Sequence, residues 1–178
     1  MKIITAPEEY KREDGDITVF LAGGITGCRD WQSEVLNEFD NDPCYENIVF
    51  FNPRRKEFDI NTRSETTKQI QWEFDMLEQC DIFSMYFCGS ESDQPICMYE
   101  LGRNIPRMQV RFPVDWPYRL IISSEENYKR KTDVVIQTGL ATKYHMEYTN
   151  FGQVTEQAAM KYHILNIKYA YNYLKRHV

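Results

Sequence analysis

A chain of 178 residues with 42% hydrophobic content has the size of one domain with one core, and a single site is the expectation. The formal charge of −6 excludes a protein that grips a nucleic-acid polymer mainly through its phosphates, which requires a basic surface. Five cysteines without a C-x-x-C pair and three late histidines support neither a disulfide framework nor a zinc site. Residues 1–16 are mixed and charged, and no window approaches the ~18 apolar residues of a membrane span, so a reducing cytoplasm is the expected compartment.

The first clear element is Ile17-Thr18-Val19-Phe20-Leu21-Ala22, a β-branched and aromatic run closed by Gly23-Gly24, which predicts a buried strand ending in a tight turn. Asp30 then stands where its side chain can cap a helix whose apolar positions Trp31, Val35 and Phe39 recur every fourth residue. A second unit runs from the strand Ile48-Val49-Phe50-Phe51 through Asn52-Pro53-Arg54-Arg55 into a helix near Ser64, with Ile70, Phe74 and Leu77 on its expected apolar face. The third strand, Ile82 to Phe87, leads to a polar loop from Cys88 to Gln94 and a short helix around Met98 to Arg103. Three consecutive βα units imply a parallel sheet with right-handed crossovers.

Beyond that point the strand candidates are Met108 to Phe112, Leu120 to Ser123 and Val134 to Gln137. A long amphipathic helix over about 152–176 closes the chain, with Val154, Ala158, Tyr162, Leu165, Tyr169 and Tyr173 stepping by three or four. The whole chain, 1–178, reads as one domain with its core in 17–125. The fold class is α/β: a flavodoxin- or Rossmann-like doubly wound, mainly parallel sheet of about five strands flanked by helices.

In such a sheet ligands bind beyond the carboxyl ends of the strands, and those ends carry Gly23-Gly24-Ile25-Thr26-Gly27, Asn52-Pro53-Arg54-Arg55 and the segment from Cys88 to Glu100. The glycine loop lacks the G-x-G-x-x-G spacing and any P-loop lysine, so it is either a plain tight turn or a loop that lets amides approach a sugar or phosphate. Arg54 and Arg55 can hold a phosphate, a base edge or a carboxylate, or pair with surface acids. Trp72 is either a core aromatic or a lid on a base. Among the acids Asp75, Asp81, Asp93 and Glu100, Glu100 stands out because Tyr99-Glu100-Leu101-Gly102 places it among apolar neighbours at a strand-to-helix switch. Cys97 has no histidine in its region to activate it and reads as pocket wall or core.

The blocks Phe20-Leu21-Ala22-Gly23-Gly24-Ile25, Asp30-Trp31-Gln32 and Phe51-Asn52-Pro53-Arg54-Arg55 resemble the opening motifs of the nucleoside 2-deoxyribosyltransferase-like family. The blocks Gln69 to Leu77, Cys80-Asp81-Ile82 and Pro95 to Gly102 resemble its remaining signatures, so the resemblance covers about Val19 to Gly102. It implies that Glu100 is the nucleophile of a glycosyl-enzyme reaction, Asp75 the acid that assists the leaving base, and Asp93 a third, positioning acid. It also implies that Gly23, Gly24, Ile25, Asn52, Pro53, Arg54 and Trp72 surround a nucleoside or nucleotide and a free nucleobase, without cofactor or metal. Base transfer, hydrolysis of the N-glycosidic bond and non-catalytic sensing of a nucleotide or ADP-ribose-like ligand are the three readings. The aromatic C-terminal helix suggests a homo-oligomer.

Overall fold

The computed structural model describes residues 1–56, 62–143, 148–150 and 156–177. Its sheet has six parallel strands in the order β1-β3-β2-β4-β5-β6: β1 Lys2–Thr5, β2 Ile17–Gly23, β3 Ile48–Asn52, β4 Ile82–Phe87, β5 Leu120–Ser124 and β6 Tyr148–Asn150. Strands β3, β4 and β5 are buried along their whole length, as expected where helices cover both faces of a parallel sheet. Helices α2 (Arg63–Gln79), α3 (Pro95–Arg111) and α4 (Lys131–Thr142) contribute to the apolar layer on one face, with Phe20, Phe51 and Phe83. Helices α1 (Trp31–Asn37) and α5 (Glu156–His177) contribute to the other, with Val19, Phe50 and Tyr86. The architecture is the expected doubly wound α/β fold. Among the described residues, no helix is long and apolar enough to cross a membrane.

Four local expectations are corrected. Met108 to Phe112 lies mainly in the last turn of α3, where Leu101, Ile105 and Met108 are buried with helical spacing; the alternation of Met108, Val110 and Phe112 mimicked a strand. Helix α3 is therefore a 17-residue element, not a short one, and it tolerates Pro106 in its interior. Val134 to Gln137 belongs to α4, since Val134, Thr138 and Thr142 are the buried set. The inward face of α2 is Gln69, Trp72, Met76 and Leu77, whereas Ile70 and Phe74 are exposed and Phe74 carries the Arg103 guanidinium 4.2 Å from its ring centroid. Strand β1 was not anticipated: this short edge strand, none of whose residues is fully buried, pairs with β3 (Ile3 with Phe50, Ile4 with Phe51) from within a mixed, charged N-terminal stretch. The N-terminal start of the closing helix, 152–155, lies outside the described residues, while Tyr162 and Tyr169 of α5 are exposed.

Two buried polar links tie the layers together. Asp81, at the entry to β4, accepts hydrogen bonds from the Thr18 amide (2.9 Å), the Thr18 hydroxyl (2.9 Å) and Arg12 (2.9 Å), which joins β4 to β2. Its role is therefore structural. His163 of α5 is fully buried between the hydroxyls of Ser84 and Ser123, each at 2.9 Å. Burial alone pushes its pKa down to about 3. The unfolded chain, with an ordinary imidazole near ~6.5, binds more protons than the fold below that value, so the His163 contribution is complete above pH ~6.5 and declines toward pH ~3. The expected slope is ~1.4 kcal/mol per pH unit within that window. Denaturation of the wild type and of His163→Gln at a series of pH values should show the steeper acid loss in the wild type; parallel curves would contradict it.

Candidate active site

The strand order reverses between β2 and β4: the chain leaves β2 toward β3, then crosses back through α2 to β4. The loops that follow β2 and β4 therefore part at this point and leave a crevice. At its base β2 and β4 approach so closely that a Cβ on Gly23 would lie 2.3 Å from the Tyr86 carbonyl oxygen and 2.7 Å from the Trp31 ring. Only glycine fits there. A Cβ on Gly24 would meet Cys28 Sγ at 2.4 Å and Gln94 Oε1 at 2.5 Å, so the two loops are also packed against each other.

A cavity of about 230 Å³ occupies the crevice. Its floor and one wall are Phe20, Ala22, Gly23, Gly24, Ile25 and Thr26 from β2 and its loop; Pro53 closes one side, and Ser92, Gln94, Pro95, Ile96 and Cys97 close the other. Two carboxyl groups reach it, Glu73 from α2 and Glu100 from α3. Among the described residues, no lysine or arginine lines it.

The two acids are electrostatically linked. The Glu100 carboxyl is pushed up to about 8, first by burial and then by the negative charge of Glu73, against the attraction of Arg103. The Glu73 carboxyl is raised by burial, while the hydrogen bond from Gln69 and the charge of Arg55 oppose that rise. Among the described residues no donor reaches the Glu100 carboxylate, whereas Gln69 Nε2 donates to Glu73 Oε1 at 2.8 Å. Glu73 therefore has the better support for the ionised form and Glu100 for the protonated one. Burial raises the Cys97 thiol, which keeps it protonated in the cavity wall.

The expected site residues divide. Gly23, Gly24, Ile25, Pro53 and Glu100 line the cavity. Asp75 does not: it is exposed on α2, where Gln71 Nε2 donates to it at 2.9 Å. One α-helical residue turns the chain by about 100°, so of the acids on this helix it is Glu73, two positions earlier, that faces the crevice. The inward set Gln69, Trp72, Met76 was the signal that could have found it. Asp93 is exposed as well, and it is its backbone carbonyl that is engaged, by the Tyr128 hydroxyl at 2.9 Å. Its neighbour Gln94 is the buried one: Gln94 Nε2 donates to the Cys88 carbonyl at 2.8 Å, and Gln94 Oε1, in the cavity wall, accepts no hydrogen bond from the described residues. Trp72 is a core residue whose Nε1 donates to the Glu8 carbonyl at 2.7 Å and whose ring packs near Phe20 and Phe51.

Arg54 and Asn52 also stand outside the cavity, facing a separate cleft with Thr5, Glu8, Asp30 and Ser33. Arg54 braces the glycine loop. Its Nη2 donates to the Arg29 carbonyl at 2.8 Å, with those of Gly24, Ile25 and Cys28 at 3.4 Å, and its Nε donates to Gln32 Oε1 at 2.9 Å. Asn52 Oδ1 in turn accepts from the Arg54 amide at 3.0 Å. On the far side of the loop, the buried Glu125 accepts from Arg29 (2.8 Å), from Tyr86 (2.7 Å) and from the Gly89 amide, which ties the first loop to the third.

Two outcomes follow from these contacts. Arg54→Met should cost about 2 kcal/mol in chemical denaturation, because several loop carbonyls lose a charged donor together; an unchanged midpoint would remove Arg54 from this role. Carboxyl-carbon NMR should show the Glu100 titration moving down from about 8 in Glu73→Gln while staying above an ordinary glutamate, since burial persists when the neighbouring charge is gone. A Glu100 titration indifferent to Glu73→Gln would show that the two acids do not sense each other.

The family model for nucleoside 2-deoxyribosyltransferase-like proteins matches residues 16–115, more than half of the chain and all of the elements that form the cavity. No curated protein matches the chain.

Proposed function

The chain belongs to the nucleoside 2-deoxyribosyltransferase-like family, and on that premise we propose that it cleaves the N-glycosidic bond of a 2-deoxynucleoside and transfers the sugar to another base, with Glu100 as nucleophile and Glu73 as the acid for the leaving base. The observation that carries this reading is the convergence of two half-buried carboxyl groups, from α2 and α3, on one cavity, with the charge of Glu73 raising the Glu100 carboxyl and no lysine or arginine among the described residues that line it. A cavity with that charge favours a neutral nucleoside over its 5′-monophosphate.

The pair enters the reaction with one proton. As the substrate fills the cavity the proton passes from Glu100 to Glu73, which produces a carboxylate nucleophile and an acid in a single step. Glu100 then attacks C1′; the C1′–N bond breaks, its electron pair goes to the base, and Glu73 delivers the proton to that base. An acceptor base reverses the sequence: its nitrogen attacks C1′, the ester electrons return to Glu100, and Glu73 takes the nitrogen-bound proton. The apolar wall of Phe20, Ala22, Ile25, Pro95 and Ile96 favours transfer over hydrolysis, because water is a poor visitor to such a surface. A 2-deoxy sugar, lacking the 2′-hydroxyl, makes fewer polar demands on this largely apolar wall.

The test is a time course with a 2-deoxynucleoside and an isotopically labelled free base, run beside the ribonucleoside and the 5′-monophosphate. Label should enter the nucleoside. Glu100→Gln and Glu73→Gln should each lower the rate by ~10³ or more, and Asp75→Asn should leave it within about twofold. Free sugar without label exchange would assign hydrolysis instead, and no turnover with retained nucleoside binding would assign a sensor.

A further inference from the structure

Gln69 belongs to the buried side of α2, one turn before Glu73. Its Nε2 donates twice, to the Pro53 carbonyl at 2.8 Å and to Glu73 Oε1 at 2.8 Å. Both amide hydrogens are thus engaged, while Gln69 Oε1 is enclosed and accepts no hydrogen bond from the described residues. Rotating the amide would place Oε1 against a carbonyl oxygen and a carboxylate oxygen, two acceptors facing a third. The orientation is consequently fixed by its partners, at the expense of a buried acceptor left unpaired.

We infer that Gln69 is a positioning residue of the carboxyl pair: anchored on the Pro53 carbonyl, it holds Glu73 Oε1 as a permanent acceptor, leaves Oε2 as the oxygen that carries a proton, and makes Glu73 the acid that is ionised in the empty cavity. Nothing in the reaction chemistry requires that the same acid be ionised before substrate arrives and protonated afterward; a donor on one member of the pair is what decides it. The charged and titratable groups around this pair are few. Arg55, in the loop after Pro53, favours the Glu73 anion and is itself paired with Glu65. From α3 come Glu100, Arg103, which favours the Glu100 anion, and the protonated thiol of Cys97. Strand β2 presents Phe20, Ala22 and Gly23 to the cavity, none of them charged or titratable. Of the two acids, Gln69 donates to Glu73, and among the described residues no donor reaches Glu100.

The catalytic use of this arrangement rests on the glycosyl-transfer reading above, but the arrangement itself is testable without turnover. Protein carrying carboxyl-labelled glutamate is titrated by NMR, with Glu73→Gln and Glu100→Gln assigning the two cavity resonances. In Gln69→Met, similar in length but without a donor, the Glu73 titration should rise by about one pH unit while the higher Glu100 step stays in place. Gln69→Asn, too short to span both acceptors, should do the same and serves if the methionine variant fails to fold by circular dichroism. A Glu73 titration unchanged in a folded variant overturns the assignment. In kinetics, the acid limb of kcat/KM should move up by the same amount and the alkaline limb should not move; an equal loss of rate at every pH, as from a loosened helix, also overturns it. A shifted Glu73 titration in a protein that turns over no nucleoside leaves the positioning role standing and removes the glycosyl-transfer reading.

Discussion

The contact between β2 and β4 governs the rest of this molecule. Because β2 leads outward to β3 while α2 returns the chain to β4 on its other side, the segments after these two strands diverge above a backbone approach too tight for a Cβ at Gly23. Divergence opens the crevice and the close approach gives it a floor. Most of the described lining lies in β2 and the loops that leave this junction, while Glu73 from α2, Glu100 from α3 and Pro53 after β3 are brought in from the side.

Rigidity at the junction comes from side chains that never enter the cavity. Arg54 gathers the carbonyls of the glycine loop from one side, and Glu125 collects Arg29, Tyr86 and the Gly89 amide from the other. With these cations placed in the walls, the described lining of the interior consists of two acids, the hydroxyl residues Thr26 and Ser92, Gln94 and largely apolar surface. This division has a chemical logic: a cation inside would neutralise the acids by pairing, whereas cations behind the walls fix the loops and leave the charge of Glu73 free to raise the proton affinity of Glu100. The reach of Gln69 across from α2 extends the same logic, since a neutral donor can favour the anion of one acid without supplying a counter-charge to both.

Much of this was legible in the sequence because it depended on local chemistry. Runs such as Ile17 to Ala22, Ile48 to Phe51 and Ile82 to Phe87 are strands by composition alone, and Asp30 caps α1 through the Ser33 amide as its position implied. Glu100 stood out for its apolar neighbours and does line the cavity. Elsewhere short segments carried two periods at once. Met108 to Phe112 alternates over five residues and Val134 to Gln137 opens with three β-branched residues, yet each is buried by a helical period that becomes visible only across a longer window.

What the sequence determined by itself was therefore the alternation of strand and helix, the parallel sheet that follows from it, and the three loops where ligand chemistry belongs. Only the tertiary structure decided which polar residues of those segments face inward. Asp75 and Glu73 are two positions apart on one helix, and Asp93 and Gln94 are adjacent in one loop; the member of each pair that reaches the cavity depends on helix rotation and loop packing against other elements. Arg54 likewise has the chemistry to bind a phosphate, and the partners it finds are loop carbonyls 25 to 30 residues earlier in the chain. Residue type is a local property, whereas the direction in which a side chain points is set by contacts between distant parts of the chain.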